Sequence, residues 1–329
     1  AFYALSPDSF RTPDGQHTNA VHGFISMLLS ILQSHKPTHL AVAFDLSRSS
    51  FRTEEYPEYK GTRGETPPEF NGQTELLQEA LAAMKIRTIT RENFEADDIL
   101  ASLADQGNDA GYRVLVVSGD RDTFQLITED TTILYPVKGV LNLAQMNDQA
   151  VVEKYGIHAK QYPDLAALVG ETSDNLPGIP GVGPKTAAKW LQQYGSLDAI
   201  LEAADEIAGK VGESLREHRE LAIRNRRLNH LIRDLKFDFE FDSLKLDGID
   251  TDAVKNVFGK LAFRSLTEKV LRSKELGANA SAPIDTSAAT SVASVMDLAN
   301  AFTASGESSE KSASVVAVSD TAARPRSEE

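Results

Sequence analysis

The first half of the chain alternates short apolar runs with longer amphipathic stretches, and this alternation restricts its fold more than any other feature. Residues 39–44 (HLAVAF) and 113–117 (RVLVV) have the length of buried strands, and the stretches around them carry apolar residues at helical spacing. Over residues 1–170 this pattern is typical of an α/β domain. We therefore predict a mainly parallel central sheet flanked by helices.

Composition excludes several classes of protein. The chain has 329 residues, of which 41% are hydrophobic and 25% charged, the balance of a folded globular protein. Its longest apolar stretch, residues 24–32, falls short of the roughly 20 residues that cross a bilayer. The absence of cysteine excludes disulfides and thiolate metal sites. A net charge of −14 leaves only a local basic strip for binding nucleic acid.

Acidic side chains follow the predicted strands, either directly or at the start of the next helix. Because the carboxyl ends of parallel strands meet at one edge of a sheet, we expect these side chains to converge. A further candidate lies in the motif GETSDN, beside Glu171. The predicted set is Asp45, Glu95, Asp97, Asp98, Asp120, Asp122 and Asp174.

Converging carboxylates need a positive partner. Acidic residues are common in first helical turns, where they complement the helix dipole, and this is the simplest alternative. However, Glu95, Ile99 and Leu103 share one helical stripe, which directs Glu95 toward the apolar side, where an uncompensated charge is costly. Oxygen ligands with no histidine nearby favour Mg²⁺ or Mn²⁺ over zinc. We predict a two-metal site of the kind that hydrolyses phosphodiesters.

Residues 176–190 (LPGIPGVGPKTAAKW) predict a phosphate-binding hairpin. Pro184 suits the first position of a helix, so the preceding amides would face outward at its N-terminus, with lysines adding charge. The pattern resembles a helix-hairpin-helix, which we assign to residues 173–193. A nucleotide P-loop fits poorly because Pro184 intrudes, and a plain glycine-rich turn is the other alternative. The predicted DNA-binding residues here are Gly181, Val182, Gly183, Lys185, Thr186 and Lys189.

Residues 45–72 are too long for an ordinary connection and alternate basic with aromatic side chains. A flexible arm over a single strand has this composition, although charged loops are more often only solvated. We predict that Arg48, Arg52 and Tyr59 contact DNA. Lys60 and Arg63 would reach the scissile phosphate and stabilise charge in the transition state.

Together these motifs resemble the 5′ nucleases of the flap endonuclease family, which have a PIN-like fold, in the form that begins bacterial DNA polymerase I. The resemblance spans about residues 2–275 and rests on segments in the same order: TNAVHGF, AVAFD, FRTEEYPEYKGTR, FEADD, VVSGDRD and ETSDNLPGIPGVGPKTA. It implies a 5′→3′ exonuclease and flap endonuclease that removes 5′ flaps and RNA primers in DNA replication and repair. The seven carboxylates would hold Mg²⁺ or Mn²⁺, Lys60 and Arg63 would lie in a helical arch, and the hairpin would hold duplex DNA with a K⁺ ion.

The implied organisation has three parts. Residues 1–147 form the nuclease core, with the arch at 45–72, and residues 148–276 form a helical DNA-binding subdomain. Residues 277–329 contain 13 alanines and 11 serines and predict a flexible linker toward a polymerase region. The implied partners are branched or flapped DNA and RNA–DNA primer junctions, for a monomeric, cytoplasmic, nucleoid-associated protein without a membrane anchor.

Two departures from the family pattern qualify this interpretation. The family begins with an apolar strand ending in Asp-Gly, followed by an arginine, and the sequence starts after these residues. We therefore expect unpaired strand edges and one weakened metal site. Glu171 stands where relatives often carry aspartate. The alternatives are a non-catalytic branched-DNA-binding module and, less favoured, a hydrolase of small phosphate esters, which would leave the hairpin and arch unused.

Overall fold

The central element is a six-stranded sheet with the order β2-β1-β8-β3-β4-β5. The computed structural model describes residues 5–62, 64, 66–138, 142–278 and 313–319. Its strands are β1 (His39–Phe44), β2 (Arg87–Ile89), β3 (Arg113–Val117), β4 (Thr131–Lys138), β5 (Asn142–Met146), β6 (Gly170–Glu171), β7 (Leu176–Pro177) and β8 (Ala313–Ser319). The pairs β1–β2 and β3–β4 are parallel, as predicted, whereas β5 and β8 run antiparallel to their neighbours. A separate two-stranded hairpin joins β6 to β7.

Helices cover both faces of the sheet and continue beyond it. From residue 148 onward the described chain is mainly helical. The α-helices of the described residues are α1 (Asn19–His35), α2 (Phe51–Glu55), α3 (Gln73–Ala83), α4 (Ala96–Asp109), α5 (Asp148–Tyr155), α6 (Tyr162–Val169), α7 (Pro184–Tyr194), α8 (Leu197–Glu202), α9 (Gly209–Glu217), α10 (Arg219–Asn229), α11 (Thr251–Lys260) and α12 (Arg264–Ala278). In the described part of the chain, no helix has the length and apolarity needed to span a membrane.

Strand β1 separates two hydrophobic layers, because alternate side chains of a strand point to opposite faces. Ala41 and Ala43 join the layer that contains α4 and the helical part of the chain. Leu40, Val42 and Phe44 join the layer formed by α1, α3, α11 and α12. All six residues of β1 are buried. The chain leaves the sheet directly after them, at Asp45, which is the first acidic residue of the candidate site.

Strand β8 corrects two expectations. Residues 313–319 were predicted within a flexible linker, but they form a strand paired on both sides, with Val316 opposite Ala41 of β1 and Val116 of β3. The sequence SVVAV is rich in β-branched residues, which favour strands. The expected unpaired edges are therefore not found between β1 and β3, because β8 pairs with both.

The arch segment begins with a short, well-capped helix. Ser50 caps α2, and the side chains of Ser50 and Thr53 each bond to the other's backbone N–H in a capping box. The cap fixes the direction in which the chain leaves the sheet. It places α2 beside the start of α4, where the carboxylates lie.

Candidate functional site

Carboxylates from several strand ends converge in the structure. The closest group contains Asp122, Glu171 and Asp174, each of which has an oxygen within 4.8 Å of oxygens of the other two. Asp122 and Asp174 are buried, and Glu171 is half-buried. Atom Oδ1 of Asp122 is buried without a hydrogen-bond partner among the described residues. Such an atom requires either a proton or a cation.

The remaining predicted ligands adjoin this group. Asp97 lies at the start of α4 and is buried, close enough to Asp120 and Asp45 that burial, then their repulsion, raises its pKa. Asp120 follows β3, and its pKa is raised by burial and by Asp174. Asp45 follows β1 and accepts a hydrogen bond on Oδ1 from the backbone N–H of Ala96, at 2.7 Å. The helix N-terminus thus holds Asp45 in place.

The pKa shifts of these side chains indicate that the group lacks a counter-charge. Burial raises the pKa of Asp122, with further repulsion from Glu171 and Asp120. Burial also raises the pKa of Glu171 to about 8, and Asp120 and Asp174 add to the effect. Without a counter-charge, burial and mutual repulsion disfavour the deprotonated form of these side chains. The donor set is all oxygen, so the residues present fit a hard divalent cation such as Mg²⁺ or Mn²⁺.

Lys60 reaches this group from the base of the arch. Its Nζ lies 2.9 Å from Oε2 of Glu95 and 4.0 Å from Oδ2 of Asp174. Its backbone N–H donates to the carbonyl oxygen of Asp174, and Asn175 Nδ2 donates to the carbonyl oxygen of Glu58. The base of the arch is therefore tied to the loop that carries Asp174.

Tyr59 occupies a different position from the one predicted. It is 4% exposed, and its hydroxyl group donates to Oδ2 of Asp174 at 3.0 Å and lies 3.3 Å from Oε2 of Glu95. Its predicted role as a DNA contact is corrected because the ring is enclosed. The hydroxyl instead orients two carboxylates.

The predicted roles of Asp98 as a metal ligand and of Arg52 as a DNA contact are also corrected. The Arg52 guanidinium makes two hydrogen bonds to the Asp98 carboxylate, at 2.7 and 2.8 Å, and these two side chains are 1% and 0% exposed. Asp98 further accepts the backbone N–H groups of Glu95 and Ile232. Both of its oxygens are thus engaged, which leaves it unavailable as a metal ligand. Arg52 is equally unavailable to DNA.

The outer arch carries the other predicted cations. Arg48 is exposed, and its Nη2 donates to the carbonyl oxygen of Gly64 and to the hydroxyl group of Thr66. These contacts brace the two limbs of the arch segment. Arg63 lies outside the described residues, so its predicted place near the phosphate stays a prediction.

The glycine hairpin is built by a close backbone approach. A Cβ on Gly178 would lie 2.0 Å from the carbonyl oxygen of Val169, so only glycine fits there. Gly181 has a φ of 81°, in the region that favours glycine. The N–H of Val182 donates to the carbonyl oxygen of Ile179, so its predicted outward direction is corrected.

The lysines of the hairpin face solvent. Gly183 caps α7 and Pro184 occupies its first turn, as predicted. Lys185 and Lys189 are exposed, Thr186 is half-buried, and Trp190 is buried in the core. A positive surface at a helix N-terminus is suited to phosphate groups.

Two positioning side chains were not identified from the sequence. Ser118 lies 3.5 Å from Asp97 Oδ1 through its hydroxyl group and accepts the N–H of Asp120. Gln125 donates to the carbonyl oxygens of Asp122 and Asn229. Ser118 could have been found from its place two residues before Asp120. No local sequence signal identifies Gln125, since its second partner is distant in the chain.

Comparison with known proteins places these features in a family. The N-terminal resolvase-like domain of the 5′-3′ exonucleases matches residues 1–156, and their C-terminal SAM-fold domain matches residues 157–252. DNA polymerase I of Mycobacterium tuberculosis (strain ATCC 25618 / H37Rv) is 50% identical over 270 residues, which are 82% of this chain and 30% of that protein. DNA polymerase I of Bacillus caldotenax is 43% identical over 271 residues, or 82% of this chain and 31% of that protein. The chain thus spans about a third of the length of these relatives.

Solved structures with low sequence identity share the fold. The T5 D15 protein co-crystallised with metal ions has a TM-score of 0.57 at 23% identity, covering 77% of this chain and 92% of that one. The catalytic core of Rad2 in complex with DNA substrate has a TM-score of 0.52 at 15% identity, covering 81% and 88%. The predicted fold class and the resemblance are confirmed. The chain belongs to the 5′-3′ exonuclease family, as a resolvase-like domain followed by a SAM-fold domain.

Proposed function

We propose that this chain is the metal-dependent nuclease domain of a DNA polymerase I and that it hydrolyses phosphodiesters in 5′ flaps and RNA primers. The observation that carries the proposal is the close carboxylate group formed by the buried Asp122 and Asp174 and the half-buried Glu171, with Lys60 entering from the base of the arch. A module that only binds DNA has no need for carboxylates that repel the DNA backbone.

We assign the site two Mg²⁺ ions, with Mn²⁺ as a substitute. The ligands would come from the close group and from the acidic residues around it, Asp45, Glu95, Asp97 and Asp120. Divalent cations held there would supply Lewis-acid stabilisation of the charge that develops on the phosphoryl oxygens. Tyr59 keeps the Glu95 and Asp174 carboxylates oriented through its hydroxyl group.

Lys60 supplies charge from the protein itself. Its ammonium group neutralises Glu95 in the absence of DNA, and a phosphodiester placed beside the carboxylates would compete for the same group. Such a cation lowers the barrier when it meets charge that grows in the transition state. Arg63, three positions further along the arch segment, is proposed to act on the same phosphate.

The hairpin is proposed to hold the duplex. The exposed Lys185 and Lys189 at the start of α7 are suited to backbone phosphates, which are bound without reading sequence. Gly181, Gly183 and Thr186 complete this surface, and Arg48 contributes from the arch. A K⁺ ion at the hairpin is part of the proposal and rests on the family resemblance.

The intact protein is proposed to contain polymerase domains, since the relatives are DNA polymerase I and extend well beyond the matched part. Its partners would be flapped DNA and RNA–DNA primer junctions, met by a monomeric protein in the bacterial cytoplasm. The domain limits at residues 147 and 276 belong to this proposal.

Cleavage of a labelled 5′-flap DNA in Mg²⁺ tests the function. The chain should cut near the base of the flap, should leave a matched 3′ flap intact, and should stop in EDTA. Asp122→Asn should reduce single-turnover cleavage by about 100-fold or more while flap binding is retained, because the ligand charge is lost but the DNA-binding surface is not.

Asp148→Asn is the matched control, because Asp148 is an exposed carboxylate at the start of α5, paired with His158 away from the site. It should cut at the wild-type rate. Cleavage by Asp122→Asn at the control rate would overturn the metal assignment. Tight flap binding without cleavage by the wild-type chain would favour the non-catalytic branched-DNA-binding module.

A further inference from the structure

The end of α10 meets the carboxylate-bearing elements through two buried side chains. We define the junction segment as residues 228–232, which lead out of α10. Arg52 donates from Nε to the carbonyl oxygen of Leu228 at 2.7 Å and from Nη2 to that of His230 at 3.1 Å. Gln125 donates to the carbonyl oxygen of Asn229 at 2.9 Å and accepts the N–H of Leu231 at 3.0 Å. The segment is therefore held on both sides.

Each of these side chains also holds an acidic residue of the candidate site, Glu95 in one case and Asp122 in the other. Arg52 Nη1 lies 3.5 Å from Oε2 of Glu95, and its partner Asp98 accepts the backbone N–H of Glu95. Gln125 donates to the backbone carbonyl oxygen of Asp122. The position of the junction segment is thus connected by hydrogen bonds to two of the acidic residues proposed as ligands.

The hydrogen bonds of Arg52 are too specific in direction for its role to be packing alone. The planar guanidinium of Arg52 uses a bidentate pair to Asp98 together with two carbonyl oxygens, a pattern that lysine cannot reproduce. Arg52 is also stacked on the ring of Phe51, with its Cζ 4.5 Å from the ring centre. The side chain is therefore fixed in one orientation.

We propose that Arg52 is a positioning residue that couples the seating of the helical subdomain to the placement of the Glu95 carboxylate. It touches neither substrate nor metal and acts through Asp98, Glu95 and the junction segment. When the junction segment at the end of α10 is packed in this position, Arg52 supports the Glu95 carboxylate at the site. When that packing is lost, Glu95 loses this support. The inference rests on the proposed function for its cleavage readout only.

The test compares Arg52→Lys with the wild-type chain. Arg52→Lys should weaken Mn²⁺ binding, measured by electron paramagnetic resonance without DNA, and should lower the single-turnover cleavage rate of a 5′ flap by about tenfold or more. Flap affinity should stay within about twofold, since the hairpin and outer arch are unaltered. Arg227→Met is the matched control, because Arg227 pairs with Glu55 and so also connects α10 to α2, but at the surface. It should behave as wild type in both assays.

A double variant separates positioning from structural support. Arg52→Met with Asp98→Leu replaces the buried pair by apolar side chains, which can restore folding but not the contacts to Glu95. A thermally stable double variant that still binds Mn²⁺ weakly and cuts slowly supports the proposal. Wild-type Mn²⁺ binding by either folded variant would overturn it. If the wild-type chain binds Mn²⁺ but fails to cut, the proposed function fails while the Mn²⁺ comparison still decides the role of Arg52.

Discussion

At the scale of single residues, the site is governed by unbalanced negative charge. Burial and mutual repulsion raise the pKa of Asp97, Asp120, Asp122 and Glu171. Lys60 reaches the group, where its ammonium group lies 2.9 Å from Glu95 and 4.0 Å from Asp174. Burial therefore favours the protonated form of these side chains, and a bound cation would compensate the same negative charge.

Stability without metal should fall as the pH rises. The pKa of Glu171 is about 8 in the folded chain, against an ordinary value of 4.5. The folded state holds this proton more tightly than the unfolded state, so the contribution is complete below 4.5 and is lost as pH passes 8. Urea unfolding in EDTA across this range should show a falling free energy of unfolding, which Mg²⁺ reverses. Glu171→Gln should reduce the slope; the same slope in both proteins would contradict the assignment.

Lys60→Ala should slow single-turnover cleavage of a 5′ flap by about 100-fold, since a cation beside the reacting phosphate is removed. Flap affinity should change little. Lys255→Ala is the control, because Lys255 is an exposed lysine of α11. An unchanged rate for Lys60→Ala would remove Lys60 from the site.

The sequence alone identified most of the acidic residues of the candidate site. It did not distinguish the proposed metal ligands from the residues that support them. Asp45, Asp120 and Asp122 follow strands, and this local rule predicts that they lie at one edge of the sheet. Asp98 follows the same local rule and yet faces Arg52, which lies 46 positions away. Local patterns do not record such distant pairings, so the structure was needed to distinguish the proposed ligands from the side chains that support them.

At the scale of elements, the hairpin depends on backbone contact between β6 and the turn before α7. A Cβ on Gly178 would collide with Val169 and Gly170 backbone atoms at 2.0 to 2.7 Å. The sequence predicted the glycine turn and the start of α7. It did not predict the β6–β7 pairing, because two-residue strands leave no periodic signal.

Gly178→Ala should therefore weaken binding of duplex DNA by about tenfold and lower stability, because the backbone must move to admit a methyl group. Gly259→Ala is the control, since a Cβ there meets nothing within 4 Å. Binding measured by fluorescence anisotropy at fixed salt would decide the point. Equal affinities for both variants would show that the hairpin geometry is not required.

At the scale of the whole molecule, the sheet joins distant parts of the chain. The layer behind β1 contains Val21 and Val270, so α1 and α12 share one core. The other layer runs from Ala41 to Leu244 through the helical part. Strand β8 completes the sheet between β1 and β3. Composition predicted a linker over residues 277–329, because the short strand at 313–319 lies within a segment that is otherwise rich in alanine and serine.

Val316→Pro should destabilise the chain. Proline removes the backbone N–H of a residue paired between Ala41 and Val116, at a cost of about 1–3 kcal/mol for an unpaired buried group. Val316→Thr keeps the N–H and should unfold near the wild-type midpoint. Identical midpoints for the two variants would show that β8 does not contribute to the sheet in solution.

The place of β8 also sets an order of events during synthesis. Within this chain, strands β1 and β3 are made well before residues 313–319, so their pairing with β8 can form only after that segment has been synthesised. Open edges of this kind favour association with other nascent chains. Completion of the sheet is therefore a late and non-local step, and such steps slow folding. Refolding of this chain should therefore be slower than refolding of a single local hairpin.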